Sequence, residues 1–164
     1  ITEDDYSAER PPCDGGRGED CDSYADIYLD GNPDDATFES GDQGFNMLAE
    51  EALQYINSLA TAYAFHDRHE FTVSARDGIL THLWWIERYL RYARLNYPEA
   101  HEFLLGDACW RETLLNIWGR AWFYLAHTDD MPALGISDDA LFELVSDPDL
   151  LSELQRVRDA QGCD

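Results

Sequence analysis

Residues 74 to 97, SARDGILTHLWWIERYLRYARLNY, constrain the fold more than any other part of the chain. Ile79, Leu83, Ile86, Leu90, Ala93 and Tyr97 recur at spacings of three and four, which lines one face of an α-helix. His82, Trp85, Tyr89, Tyr92 and Asn96 form a second stripe beside the first. A helix lying on a protein surface needs one apolar stripe; two adjacent stripes require neighbours on more than one side. Trp84, Arg88, Arg91 and Leu95 fall on the third face, with Arg94 nearby. Ser74 with Asp77 has the spacing of a capping box at the start of this helix.

The neighbours are legible on either side. Phe45, Leu48, Ala52, Tyr55, Leu59, Ala62 and His66 trace one face of a helix of about six turns, at 3.6 residues per turn. Glu50, Glu51, Gln54, Asn57 and Ser58 lie opposite, and Ser40 with Gln43 offers its capping box. Pro98 ends the 74 to 97 helix, PEAHEFLLG follows, and Asp107 is placed to cap a third helix containing CWRETLLNIWGRAWFYLAH. There Trp110, Leu114, Ile117, Ala121 and Tyr124 form one stripe and Leu115, Trp118, Trp122 and Leu125 the next, so this helix too is expected to be central. Shorter helices are expected from Ser137 to about Val145, and after Ser146 and Asp147 with Pro148 in the first turn. No segment alternates long enough to make a strand. The reading is all-α: a helical bundle of three long and two or three short helices, residues 45 to 164, with an extended acidic N-terminal arm, residues 1 to 44.

That arm differs in kind from the rest. It carries 14 acidic residues and two Arg among many Gly and Pro, and it shows almost no apolar periodicity. The whole chain of 164 residues has 34 acidic and 11 basic side chains, a net charge of −23. Nucleic acid and anionic membrane are thereby excluded as partners, and no run approaches the roughly 18 apolar residues of a membrane span. All the basic residues are Arg.

Cys13, Cys21, Cys109 and Cys163 form no C-x-x-C pair, so zinc ribbon and thioredoxin-type centres lack their cue. A local Cys13–Cys21 bridge in the exposed Gly-rich loop leaves Cys109 to tie down Cys163, and an oxidising compartment follows. The chain begins at Ile1, which a cleaved secretory signal would explain; the expected location is secreted or periplasmic.

Three sets of residues are candidate sites. Asp22, Asp26, Asp30, Asn32, Asp34, Asp35 and Glu39 supply oxygen donors suited to Ca2+, although counting from Asp26 puts Tyr28 at position 3 and Thr37 at position 12, which no EF-hand loop allows. His66, His69 and Glu70 would share a helix face and offer three ligands to a transition metal, completed by His82, His101 or His127. Their order, H-x-x-H-E, matches no zinc-hydrolase signature, and they fall where a helix ends, where His also sits well against the negative dipole. Arg88, Arg91 and Arg94 form a basic strip that either pairs with the acidic arm or binds an anionic partner. His82 opens an aromatic stripe and is either a core histidine or a base in an aromatic pocket.

No Glu-x-x-His motif and no G-x-S-x-G is present, which disfavours di-iron and serine-nucleophile chemistry. The reading leans away from an enzyme, towards a binding domain that meets a protein partner or a second copy of itself. A metal-dependent hydrolase at the histidines, and a nucleic-acid mimic that blocks a basic protein, are the alternatives.

Overall fold

The computed structural model describes residues 21, 22, 24–28, 44–68, 72–136 and 138–163. The chain divides into two compact units, Ile1–Met47 and Leu48–Asp164. In the first, the described segment is a single helical turn, α1 (Ala25–Tyr28), with the Tyr24 and Tyr28 rings stacked at 6.3 Å. The Ser40 and Gln43 capping box lies outside the described residues.

The second unit is an all-α bundle. Among the described residues it contains three long helices, α2 (Gly44–Ala64, whose residues up to Met47 belong to the first unit), α3 (Ala75–Asn96) and α5 (Ala108–His127), and three shorter ones, α4 (Pro98–Gly106), α6 (Asp138–Val145) and α7 (Pro148–Gln161). The segment PEAHEFLLG is therefore a helix in its own right, with Pro98 at its first position, where a missing N–H costs no hydrogen bond. Among the described residues, no helix is long and apolar enough to cross a membrane.

Helix α3 is the axis of the unit. Every residue from Ala75 to Arg88 is buried, and α4, α5, α6 and α7 all pack on it. Over that span its two apolar stripes are thus both covered, as their adjacency requires, and so is the start of the third face, where Trp84 is fully enclosed, whereas Leu95, Asn96 and Tyr97 at the helix end are exposed. Close approach of α2 depends on Gly78, since a Cβ there would lie 2.1 Å from the Tyr55 ring.

Two local expectations are corrected. Ser74 makes no side-chain capping bond, because Asp77 is turned to a tertiary role: its Oδ2 accepts the N–H of Ile136 at 2.9 Å. Arg76, beside it, donates to the Thr128 carbonyl, and the Val73 N–H reaches the Ala133 carbonyl at 2.8 Å. The start of α3 therefore anchors the connection between α5 and α6.

Helix α5 is not central either. Leu114, Ile117, Ala121 and Leu125 form its one fully buried stripe, against α7 and α3, while Leu115, Trp118 and Trp122 are only half-buried. Its cap is as expected: Asp107 Oδ1 accepts the Trp110 N–H at 3.0 Å. So is that of α7, where Asp147 Oδ1 accepts from Asp149 at 2.8 Å and Leu150 at 3.3 Å.

Candidate functional site

Those histidine candidates that lie among the described residues are not brought together by the fold. His66 lies in a 3-10 turn, His66–Arg68, just past the end of α2, exposed, with its Nδ1–H donating to the Tyr63 carbonyl at 2.8 Å. It closes a helix terminus, the role its position near the negative dipole end favours. His69 and Glu70 lie outside the described residues. The residues proposed to complete the set are dispersed: His82 is in the core, His101 is buried on α4, and His127 is exposed at the end of α5. Among the described residues, no three His, Cys, Asp or Glu side chains group so as to hold a metal ion.

Of the calcium candidates, Asp22 is buried and its Oδ1 accepts the Tyr24 N–H at 2.9 Å, a local turn that leads into α1. Asp26 belongs to that helical turn. Asp30, Asn32, Asp34, Asp35 and Glu39 lie outside the described residues.

The cysteine pairing is corrected in one half. Cys21 is disulfide-bonded, and its expected partner Cys13 lies outside the described residues. Cys109 and Cys163 are exposed free thiols. The helix ends that they were expected to join do meet, through Arg111 Nε donating to Gln161 Oε1 at 2.7 Å. Cys109 precedes Arg111 by two residues, a rotation of about 200° around the helix, so it faces away from that junction.

His82 is a core residue. Its Nδ1–H donates to the Gly78 carbonyl at 2.8 Å, and its ring packs 5.0 Å from Tyr55 and 4.9 Å edge-on to Trp85. Burial holds its pKa down at about 4, against the pull of that hydrogen bond, so the ring is neutral near pH 7. With no exposure at all, it cannot act on a substrate as a base in an open pocket.

Two members of the Arg strip, Arg88 and Arg94, are engaged within the bundle. Arg88 is buried with its guanidinium 4.6 Å above the Trp84 ring, one helical turn away. Arg94 grips Glu153 of α7 through Nη2 at 2.6 Å and Nε at 3.0 and 3.1 Å. Arg94 therefore pairs within the bundle. Arg156 approaches the same carboxylate at 3.5 Å, and burial beside this group holds His101 below the ordinary histidine value, with Glu153 pulling the other way.

One feature went unread in the sequence, and a second was read there as an apolar stripe of a central helix. The first is Glu87, fully buried on α3 with neither carboxyl oxygen hydrogen-bonded. Burial, reinforced by Asp147 and opposed by Arg91, raises its pKa to about 9, so it is a neutral acid near pH 7. The helical wheel placed it off both apolar stripes, and only the packing of α3 on every side reveals its burial.

The second is a row of rings on the flank of α5. Trp118 and Trp122, four residues apart on one face, meet edge to face at 5.8 Å. Trp122 meets Phe142 of α6 in the same way at 5.5 Å. Both Trp are half-buried and Phe142 is 49 % exposed. Asp139 and Glu143 stand exposed on α6 beside Phe142, and that helix carries no basic residue. The surface combines rigid aromatic area with a negative rim.

A separate open groove of about 400 Å³ runs between α2 and the start of α3, lined by Gln54, Asn57, Ser58, Thr61, Ala62, Val73 and Ala75. The Thr61 hydroxyl in it donates to the Asn57 carbonyl at 2.9 Å. The chain matches no known family model, no curated protein and no solved structure.

Proposed function

We propose that the chain is a non-enzymatic, acidic helical binding domain of a secreted or periplasmic protein, which takes a cationic protein segment on its Trp118–Trp122–Phe142 face. The observation that carries this reading is the ring row itself. Helix α5 buries Leu114, Ile117, Ala121 and Leu125 yet leaves two tryptophans half-covered on the flank where α6 adds an exposed phenylalanine. Aromatic side chains with few rotatable bonds are favoured anchors of protein interfaces, and guanidinium groups stack on their faces.

The charge selects the sign of the partner. A net charge of −23 draws a basic segment and repels an acidic one, and Asp139 and Glu143 repeat that preference locally. A domain that occupies a basic protein in place of its polyanion would use the same chemistry. The disulfide at Cys21 supports export to an oxidising compartment.

The test is a fluorescence titration of the folded chain with a synthetic peptide of alternating Arg and Leu. The wild type is expected to bind saturably, and Trp122→Ala with Phe142→Ala to weaken binding about tenfold or more. Equal binding by the double variant, or none by the wild type, contradicts the reading. Sedimentation velocity over a range of concentrations reports whether a second copy of the chain takes the place of a foreign partner.

A further inference from the structure

Glu87 occupies a mechanical position as well as an electrostatic one. It lies on α3, fully enclosed, with both carboxyl oxygens lacking a hydrogen bond. Seven residues apart, Glu87 and Arg94 share the face of α3 that α7 packs on, and Asp147, which ends the connection from α6 and caps α7, is near enough to oppose a charge on Glu87. Two helical turns further along α3, Arg94 holds Glu153 near the middle of α7. Helix α7 is thus fastened to α3 at its middle by a bidentate ion pair, and at its start it shares a corner with an acid that has no donor to receive a negative charge.

We propose that Glu87 is a proton-operated latch: as the neutral acid it lets the corner between α6 and α7 sit against α3, and loss of its proton to solvent releases that corner. A carboxylate cannot stay where neither oxygen finds a donor, and the adjacent Asp147 opposes a second negative charge. Ionisation and opening are therefore one event, in which water reaches the Glu87 oxygens as the corner lifts. Burial, which holds this acid neutral up to about pH 9, is the same effect seen from the closed side.

On α6, Asp139 and Glu143 are exposed, as is Asp149 at the start of α7. Glu153 is held by Arg94 with Arg156 nearby, and Arg91 on α3 itself favours the ionised form of Glu87. On α4, His101 is held below the ordinary histidine value, on α3 His82 is lower still, and on α5 His127 is exposed. Above about pH 6.5, His82 and His101 are neutral in the closed and the open state alike, and Tyr89 is pushed above its usual value, so among these buried groups only Glu87 gains charge on opening between there and pH 9; the exposed thiols Cys109 and Cys163 are replaced by Ser in the chain used for the test.

Opening the corner would also carry Phe142 away from Trp122, so the latch would switch the aromatic face; that consequence rests on the proposed binding function, whereas the latch does not.

The experiment is amide hydrogen exchange by mass spectrometry on the full chain between pH 6.5 and 9, corrected for intrinsic base catalysis. Because opening releases one proton, the opening constant of amides in α6 and α7 is expected to rise by up to about tenfold per pH unit. Amides of α2 and α5 that exchange only by global unfolding share the slope, because unfolding exposes Glu87 as well, but at a much smaller opening constant. Glu87→Gln, isosteric with the neutral acid, is expected to abolish the slope and leave 138–161 protected throughout, and Glu87→Leu to do the same. Protection of α6 and α7 that does not change with pH, an opening constant no larger in α6 and α7 than in the other helices, or a slope retained in Glu87→Gln overturns the latch. If neither variant folds, the wild-type profile alone decides on the same terms. Peptide binding by the aromatic face is measured separately at pH 6.5, so its loss with the slope intact counts against the binding surface and not against the latch.

Discussion

A methyl group on residue 78 would sit 2.1 Å from the Tyr55 ring, and this decides what an otherwise favourable substitution does. Within a helix, Ala is preferred to Gly by about 1 kcal/mol. Overpacking against an aromatic ring costs about 1–3 kcal/mol, so Gly78→Ala is expected to lower the urea midpoint rather than raise it. Glu87 gives a second prediction at this scale. Its folded pKa is raised from 4.5 to about 9, so the stability that its proton provides is fully present below pH 4.5 and is lost as pH rises towards 9. His82 acts oppositely: its folded value of about 4 means stability present above 6.5 and lost as pH falls towards 4. The two slopes cancel between 4.5 and 6.5. Unfolding free energy is therefore expected to be level there and to fall above pH 6.5 by about 1.4 kcal/mol per unit. Glu87→Gln should remove the alkaline fall and add about 3 kcal/mol at pH 7, measured by urea unfolding. None of this is legible in the sequence, where Glu87 is an acid between an apolar stripe and an Arg, and burial is a property of what packs over it.

Among the elements, the sequence discloses existence and boundaries better than rank. The two stripes of α3 correctly require cover on several sides, and α3 is the axis. The two stripes of α5 look the same on a helical wheel, yet only Leu114, Ile117, Ala121 and Leu125 are buried. Periodicity measures how much apolar surface a helix offers and not how many neighbours accept it. The Ser74 and Asp77 pair fails for a similar reason, since Asp77 binds the Ile136 N–H across the fold. Arg94 and Glu153, 59 residues apart, form the clamp between α3 and α7 that no local rule finds. Arg94→Leu leaves the buried Glu153 with Arg156 at 3.5 Å, and is expected to cost about 3 kcal/mol in chemical denaturation. Adding Glu153→Leu should recover much of that loss, because it removes the stranded charge; a double variant less stable than the single one would refute this account of the clamp.

At the scale of the whole molecule, charge and aromatic surface combine. A chain at −23 repels itself, and the repulsion is screened over about 10 Å at 0.1 M salt. The thermal midpoint is therefore expected to rise with sodium chloride from 0.01 to 0.5 M, measured by circular dichroism; a flat response would mean that surface repulsion contributes little. The same charge would bring a basic segment to the ring row. Other large apolar side chains are exposed too, among them Leu95 and Phe103, but no ring contact joins either of them to a neighbour. They serve as internal controls for the measurement that tests the proposed function most directly: hydroxyl-radical footprinting of the chain with and without the Arg and Leu peptide. Protection of Trp118, Trp122 and Phe142, with Leu95 and Phe103 still oxidised, is the expected result. Protection spread over all five, or confined to Leu95 and Phe103, would contradict a binding face on α5 and α6.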